Sequence, residues 1–131
     1  MSAGPISALG DMLAGMQPEL DDRSFIFVCA SETPEGLPAN AFALIQEEEG
    51  KTLVLPAQSK GEEGEFARIT LQVHSDLEGI GLTAAVSTAL AKAGIACNVI
   101  AAFHHDHLFV PWKRRKEALH VLQKLSREAR D

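Results

Sequence analysis

No apolar run in this 131-residue chain is long enough to cross a bilayer, and residues 1–15 lack the basic segment that opens a secretory leader. Both absences lead us to expect a soluble, cytoplasmic protein with no membrane partner. Cysteine is scarce: only Cys29 and Cys97 are present, and no C-x-x-C pair exists to hold zinc. Each lies inside an apolar run, which suggests buried, reduced, packing thiols, with a disulfide or redox pair as the alternative. The chain also lacks a P-loop, a G-x-S-x-G elbow and a metalloprotease helix. Neither catalysis nor a cofactor is therefore expected. Adjacent residues on a strand point apart, so His74 with Ser75, or Asp106 with His107, does not make a catalytic pair.

What is present is a globular composition, 46% apolar, sized for one compact unit or two small modules sharing a core. Charge is divided unevenly. Up to Phe66 there are twelve acidic and three basic residues, and from Ala67 onward six acidic and nine basic, within a net of −6. An acidic total argues against nucleic acid as a partner, while the asymmetry suits two halves or two subunits facing each other.

Residues 6–16 carry apolar side chains at Ile6, Leu9, Leu13 and Met16, a helical spacing that Pro18 is expected to end. Residues 24–30 read as a short strand, residues 31–40 as a loop, and 41–46 with 51–55 as a hairpin. After a polar linker at 56–65, the pattern sharpens. Ile69, Leu71 and Val73 alternate with polar residues, a glycine-bearing turn follows, and Leu82, Val86, Ala89, Leu90 and Ala93 share one helical face up to Gly94. Residues 95–103 form a second strand, 104–106 a turn, 107–112 a third strand, and 113–129 a helix with Ala118, Leu122, Leu125 and Ala129 in a stripe.

The second half is thus β-α-β-β-α, a ferredoxin-like α+β arrangement missing its last strand. The first half is expected to supply that strand, with residues 25–29 as the candidate. The two halves, 1–63 and 64–131, would then be interlocked modules rather than beads on a string.

The string ITLQVHSDLEGIGLTAAVSTALAKAGIACNVIAAFHHDHLFV, residues 69–110, resembles the C-terminal module of bacterial tandem ACT-domain proteins. The first half is similar more loosely, through Phe25–Val28 and the EEEGKTLVL hairpin. The resemblance implies a βαββαβ ferredoxin-like fold in two ACT-like modules, the first of them degenerate. It further implies a regulatory protein that binds a small molecule, an amino acid in the first instance, and forms a homodimer. The implied pocket combines the first strand–helix turn (Ser75, Asp76, Leu77, Glu78, Gly79, Ile80, Gly81, Leu82 and Thr83) with the second strand of a neighbouring module (Asn98, Val99 and Ile100).

Read from the residues alone, the turn places Ser75, Asp76, Gly79 and Gly81 at a helix N-terminus, where unpaired N–H groups attract a carboxylate or other small anion. Asp76 or Glu78 would then meet an amino group. Ordinary helix capping explains the same residue types. Asn98, inside an apolar strand, either bonds to neighbouring backbone or points at ligand. His104, His105, Asp106 and His107 are the densest set of metal-ligand types, but their alternation and the turn preference of Asp106 favour a structural turn. Lys113, Arg114, Arg115 and Lys116 read as a solvated charge run, with pairing to the acidic half as the second option and a phosphate or nucleic-acid patch as the third. A protein–protein interaction module without a small-molecule ligand is the competing function.

Overall fold

Along β4 (Phe66–Leu71), Ala67, Ile69 and Leu71 are buried to 1% exposure or less while Arg68 and Thr70 face the other way. This period of two gives the sheet two unlike faces and sets the architecture around it. The computed structural model describes residues 8–30, 38–58, 61–62 and 64–131. Ile6 and most of the loop expected over 31–40 lie outside the described residues.

Six strands form one sheet in the order β2-β3-β1-β4-β6-β5, with every neighbouring pair antiparallel. The strands are β1 (Pro18–Cys29), β2 (Ala43–Glu47), β3 (Gly50–Pro56), β4, β5 (Asn98–Ala101) and β6 (Asp106–Pro111). In the second half the spatial order is β1-β4-β6-β5, the ferredoxin-like order with β1 standing where a closing strand belongs. The first half reads β2-β3-β1-β4, the same order with β4 as its closing strand. Each central strand therefore opens one half and completes the other, so the modules are interlocked through the β1–β4 ladder.

The exchanged strand contains the expected residues 25–29 but is longer, and it meets β4 mainly through an earlier segment. Pro18–Leu20 and Ser24–Phe25 pair with β4, whereas residues 26–29 pair only with β3. A bulge between Leu20 and Ser24 separates the two stretches on β4. Residues 19–23 read ELDDR, which no apolar period reveals as strand. They hold because Asp21 forms ion pairs with Arg68 of β4 at 2.6 Å and with Arg23 at 3.0 Å. The side-chain hydrogen bond from Arg23 is the largest influence on the Asp21 carboxyl, and with the charge of Arg68 it holds the group well below the usual carboxylate range. Pro18 both follows the first helix and starts β1.

The helices cover one sheet face. α1 (Leu9–Ala14) buries Met12, α2 (Leu82–Lys92) buries Leu82, Val86 and Leu90, and α3 (Arg115–Arg130) buries Ala118, Leu122 and Ser126. Met12 and Met16 join Ile69, Leu71, Val86, Leu90 and Leu122 in a single core. Burial of this kind stabilises by roughly 25 cal/mol per Å² of apolar surface removed from water. The Ser126 hydroxyl and the Arg130 guanidinium both donate to the carbonyl of Ala14, at 3.2 and 3.1 Å. The last helix thereby caps the first.

The opposite face carries Phe25, Phe42 and Phe109 in edge-to-face contact, with Phe27 and Phe66 beside them. The Arg68 guanidinium lies 5.0 Å from the Phe25 ring and 4.6 Å from Phe42.

Three further expectations change. Cys29 is exposed and Cys97 half-buried, and both are free thiols, because the apolar run at 25–29 ends at the sheet margin. Burial pushes the Cys97 thiol up to about 11. Within the KRRK run, Trp112–Arg114 is a 3-10 turn, and Arg114 donates to the carbonyls of Ala93 and Gly94 at 3.1 and 3.3 Å. Arg115 stacks on Trp112, 3.9 Å from its ring centre. Two of the four charges thus hold structure: one bonds the carbonyls of the two residues that follow α2 and the other covers an indole. Finally, the second hairpin turns earlier than its sequence suggests. The N–H of Ala102 donates to the carbonyl of His105 at 3.1 Å, so Asp106 is the first residue of β6 instead of a turn residue.

Candidate functional site

The strand–helix turn of the second half closes on itself through Asp76. Its Oδ1 accepts the N–H of Glu78 at 2.9 Å and its carbonyl accepts the N–H of Gly79 at 2.8 Å. Asp76 is therefore used inside the turn and does not cap α2. The N-cap position belongs to Gly81, with φ of 103° and no side-chain cap. Only glycine adopts that backbone readily. The first α2 bond runs from the N–H of Ala85 to the carbonyl of Gly81 at 2.8 Å. The N–H groups of Leu82, Thr83 and Ala84 take no acceptor among the described residues. Of the two readings of this turn, side-chain capping is the one the geometry does not use.

A cavity of about 140 Å³ lies against this turn. Ser75, Asp76, Leu77, Gly79, Gly81, Leu82 and Thr83 line it, so seven of the nine turn residues named from the sequence meet there. Glu78 and Ile80 do not; Ile80 is 85% exposed and points to solvent. Asn98, Val99 and Ile100 are also absent from its wall. Asn98 is exposed on the edge strand, which corrects the expectation of a buried amide. Val99 packs into the core beneath the helices, and Ile100 into the aromatic cluster on the other face.

Four residues that sequence reasoning did not assign to the site complete it: Met12, Ala84, Ala101 and Asp106. Met12 of α1 forms part of the wall, and a Cβ on Gly79 would stand 3.2 Å from its sulfur. Asp106 lines the cavity from the start of β6, buried to 8% exposure, and its Oδ2 accepts the Ser75 hydroxyl at 3.2 Å. Had the hairpin turn been placed at 103–104, alternation with Leu108 and Val110 would have put Asp106 on the helix side of the sheet.

The histidines form a strip near this end of the sheet. The His74 ring centre lies 5.9 Å from His104, and His105 lies 6.3 Å from His107. Among the described residues, no group of three or more His, Cys, Asp or Glu side chains is placed to hold a metal ion. His107 is half-buried beside Phe42, and its Nδ1 is hydrogen-bonded to the Thr70 hydroxyl at 2.9 Å. Burial, then the charges of Arg68 and His105, lower its imidazole to about 4.

Comparison with known proteins fits this geometry. Two family models, each described as an ACT domain, match residues 65–124 and 5–66. A protein of unknown function from Vibrio cholerae, described as a possible transport protein, is 39% identical; the match covers 90% of this chain and 95% of that one, with a TM-score of 0.76. The chain belongs to the tandem ACT-domain family. At 11% identity, the ligand-free regulatory subunit of aspartate kinase from Thermus thermophilus shares the fold, with a TM-score of 0.60 over 85% of this chain and 97% of that one. The aspartokinase alpha and beta subunits do likewise at 14% identity and a TM-score of 0.56, over 82% of this chain and 95% of the other. A search among curated proteins returns no match. The role of ACT domains is regulatory ligand binding, and this tandem pair carries two of them. Among the described residues, no helix is long and apolar enough to cross a membrane.

Proposed function

We propose that this tandem ACT protein binds an amino acid in the cavity between the Ser75–Thr83 turn and Asp106, and that it regulates a separate protein without catalysing a reaction. The observation that supports this reading most is the uncapped start of α2 facing a cavity that Met12 of the first half helps to wall. A carboxylate suits the spare N–H groups of Leu82, Thr83 and Ala84. Because both halves contribute to the wall, a bound ligand favours their docked arrangement and shifts its population. In this reading the modules divide at 63–64, and a second copy of the chain brings its Asn98, Val99 and Ile100 beside the turn to form a cytoplasmic homodimer.

A thermal-shift screen against the twenty amino acids tests the proposal. A melting temperature that rises with the concentration of one of them is the expected result. A flat response to all of them contradicts it.

The competing reading, a protein interaction module without small ligand, draws on a different observation. Leu77, Ile80 and Phe103 are 64, 85 and 69% exposed at the turn and the second hairpin. Recovery of a defined partner that is lost in a Leu77→Ser, Ile80→Ser, Phe103→Ser variant, together with a flat ligand screen, favours it.

A further inference from the structure

Asp106 is a carboxylate more than nine-tenths buried, yet its charge is unpaired. Among the described residues, the Ser75 hydroxyl is its one side-chain partner, on Oδ2; Oδ1 accepts no hydrogen bond and no lysine, arginine or histidine forms an ion pair with it. Asp21 offers the contrast: it is less buried and is met by two arginines. Because Asp106 lines the cavity and Oδ1 is not a sealed, unsatisfied atom, that oxygen is open to a donor brought by a ligand. Asp106 lines the cavity, whose eleven lining residues include two aspartates and no basic side chain.

We infer that Asp106 is the recognition residue for a primary ammonium group, so that the cavity admits small protonated amines and rejects their neutral or anionic analogues. This inference rests on the cavity being the ligand site proposed above. The ammonium has three N–H donors. Oδ1 of Asp106 takes one, and the Ser75 oxygen, whose proton is already given to Oδ2, takes a second through a lone pair. Asp106 is held rigidly because its backbone pairs with Leu71 of β4 on one side and Ala101 of β5 on the other. At about 140 Å³ the cavity is well below the roughly 300 Å³ at which drug-sized pockets begin, which restricts it to small ligands.

Titration calorimetry on the full chain tests the inference with two sets of probes. Glycine, L-alanine, L-serine and ethanolamine carry the ammonium; N-acetyl-L-alanine, L-lactate and pyruvate do not. At least one member of the first set is expected to bind and none of the second. Asp106→Asn keeps the shape and the Ser75 contact but removes the charge, and is expected to weaken binding by about 10- to 100-fold, the worth of a charged hydrogen bond. If that variant does not fold, the comparison of probes on the unaltered chain decides. Binding of ethanolamine without any amino acid would overturn the amino-acid reading and leave the role of Asp106 standing. Amino acids that bind the Asp106→Asn variant undiminished, or acetylated and hydroxy analogues that bind equally well, would overturn the role of Asp106 and leave the amino-acid reading intact. Binding of none of the first set, or binding of calcium chloride in their place, overturns the inference.

Discussion

Met12 stands against Gly79. A Cβ added at Gly79 would lie 3.2 Å from the Met12 sulfur and 3.0 Å from the carbonyl of Asp76. The turn that walls the cavity is thus fitted to a helix from the other half of the chain, so closely that a methyl group at Gly79 requires its neighbours to give by a few tenths of an ångström. Gly79→Ala is expected to lower the unfolding free energy by about 1–3 kcal/mol through overpacking, and Gly79→Val by more. Gly81→Ala is expected to destabilise by about 1 kcal/mol or more, because its φ of 103° strains any side chain and its Cβ would meet Leu9 at 3.1 Å. Urea unfolding of the three variants checks these values. A Gly79→Ala protein as stable as the parent would contradict the close fit.

The exchange of β1 and β4 predicts that neither half is autonomous. A fragment covering residues 64–131 lacks β1, whose Pro18–Leu20 and Ser24–Phe25 stretches pair along β4. Its β4 would present a free edge to water and to other chains. We expect no cooperative unfolding transition, or aggregation, where the full chain unfolds in one step. A fragment transition matching that of the full chain would refute the interlock.

Arg114 is expected to matter more than its neighbours. Its guanidinium binds the carbonyls of Ala93 and Gly94 just after α2, whereas Lys113 and Lys116 are exposed. Arg114→Ala should cost about 1 kcal/mol, and Lys113→Ala or Lys116→Ala less than about half of that. Equal effects at all three positions would return the run to a plain solvated face.

His107 makes stability depend on pH in a defined window. In the unfolded chain its pKa is about 6.5. In the folded chain burial, aided by Arg68 and His105, lowers it to about 4. Between these values the unfolded state binds more protons, so the contribution is complete above pH 6.5 and is lost as pH falls through 4. Allowing for solvent screening of a half-buried ring, the loss is about 1 kcal/mol. His107→Gln, which can still meet the Thr70 hydroxyl, should flatten the stability curve between pH 4 and 6.5. An unchanged slope would contradict the assignment.

Much of the second half was legible because its periods are clean. Leu82, Val86 and Leu90 fall on one helical face, and Ile69 with Leu71 on one strand face. The missing closing strand could also be inferred from the element order. Its location could not, because Asp21 and Arg23 stabilise β1 by charge and so interrupt the apolar pattern. Of the residues that line the cavity, those of the Ser75–Thr83 turn are the ones the sequence pattern brings together. Met12 reaches it through tertiary packing, and Asp106 reads as a turn residue because its polar side chain masks the first position of β6. The role of Arg114 was invisible, since its acceptors Ala93 and Gly94 lie some twenty residues away.

The most direct test of the proposed site follows backbone amide resonances of the full chain during titration with the amino acid that gives the largest thermal shift. Saturable shifts concentrated at Ser75, Gly79, Gly81 through Ala84, and Asp106 are predicted. Shifts confined to the aromatic face around Phe25 and Phe109, or no saturable shift, would contradict the placement of the ligand.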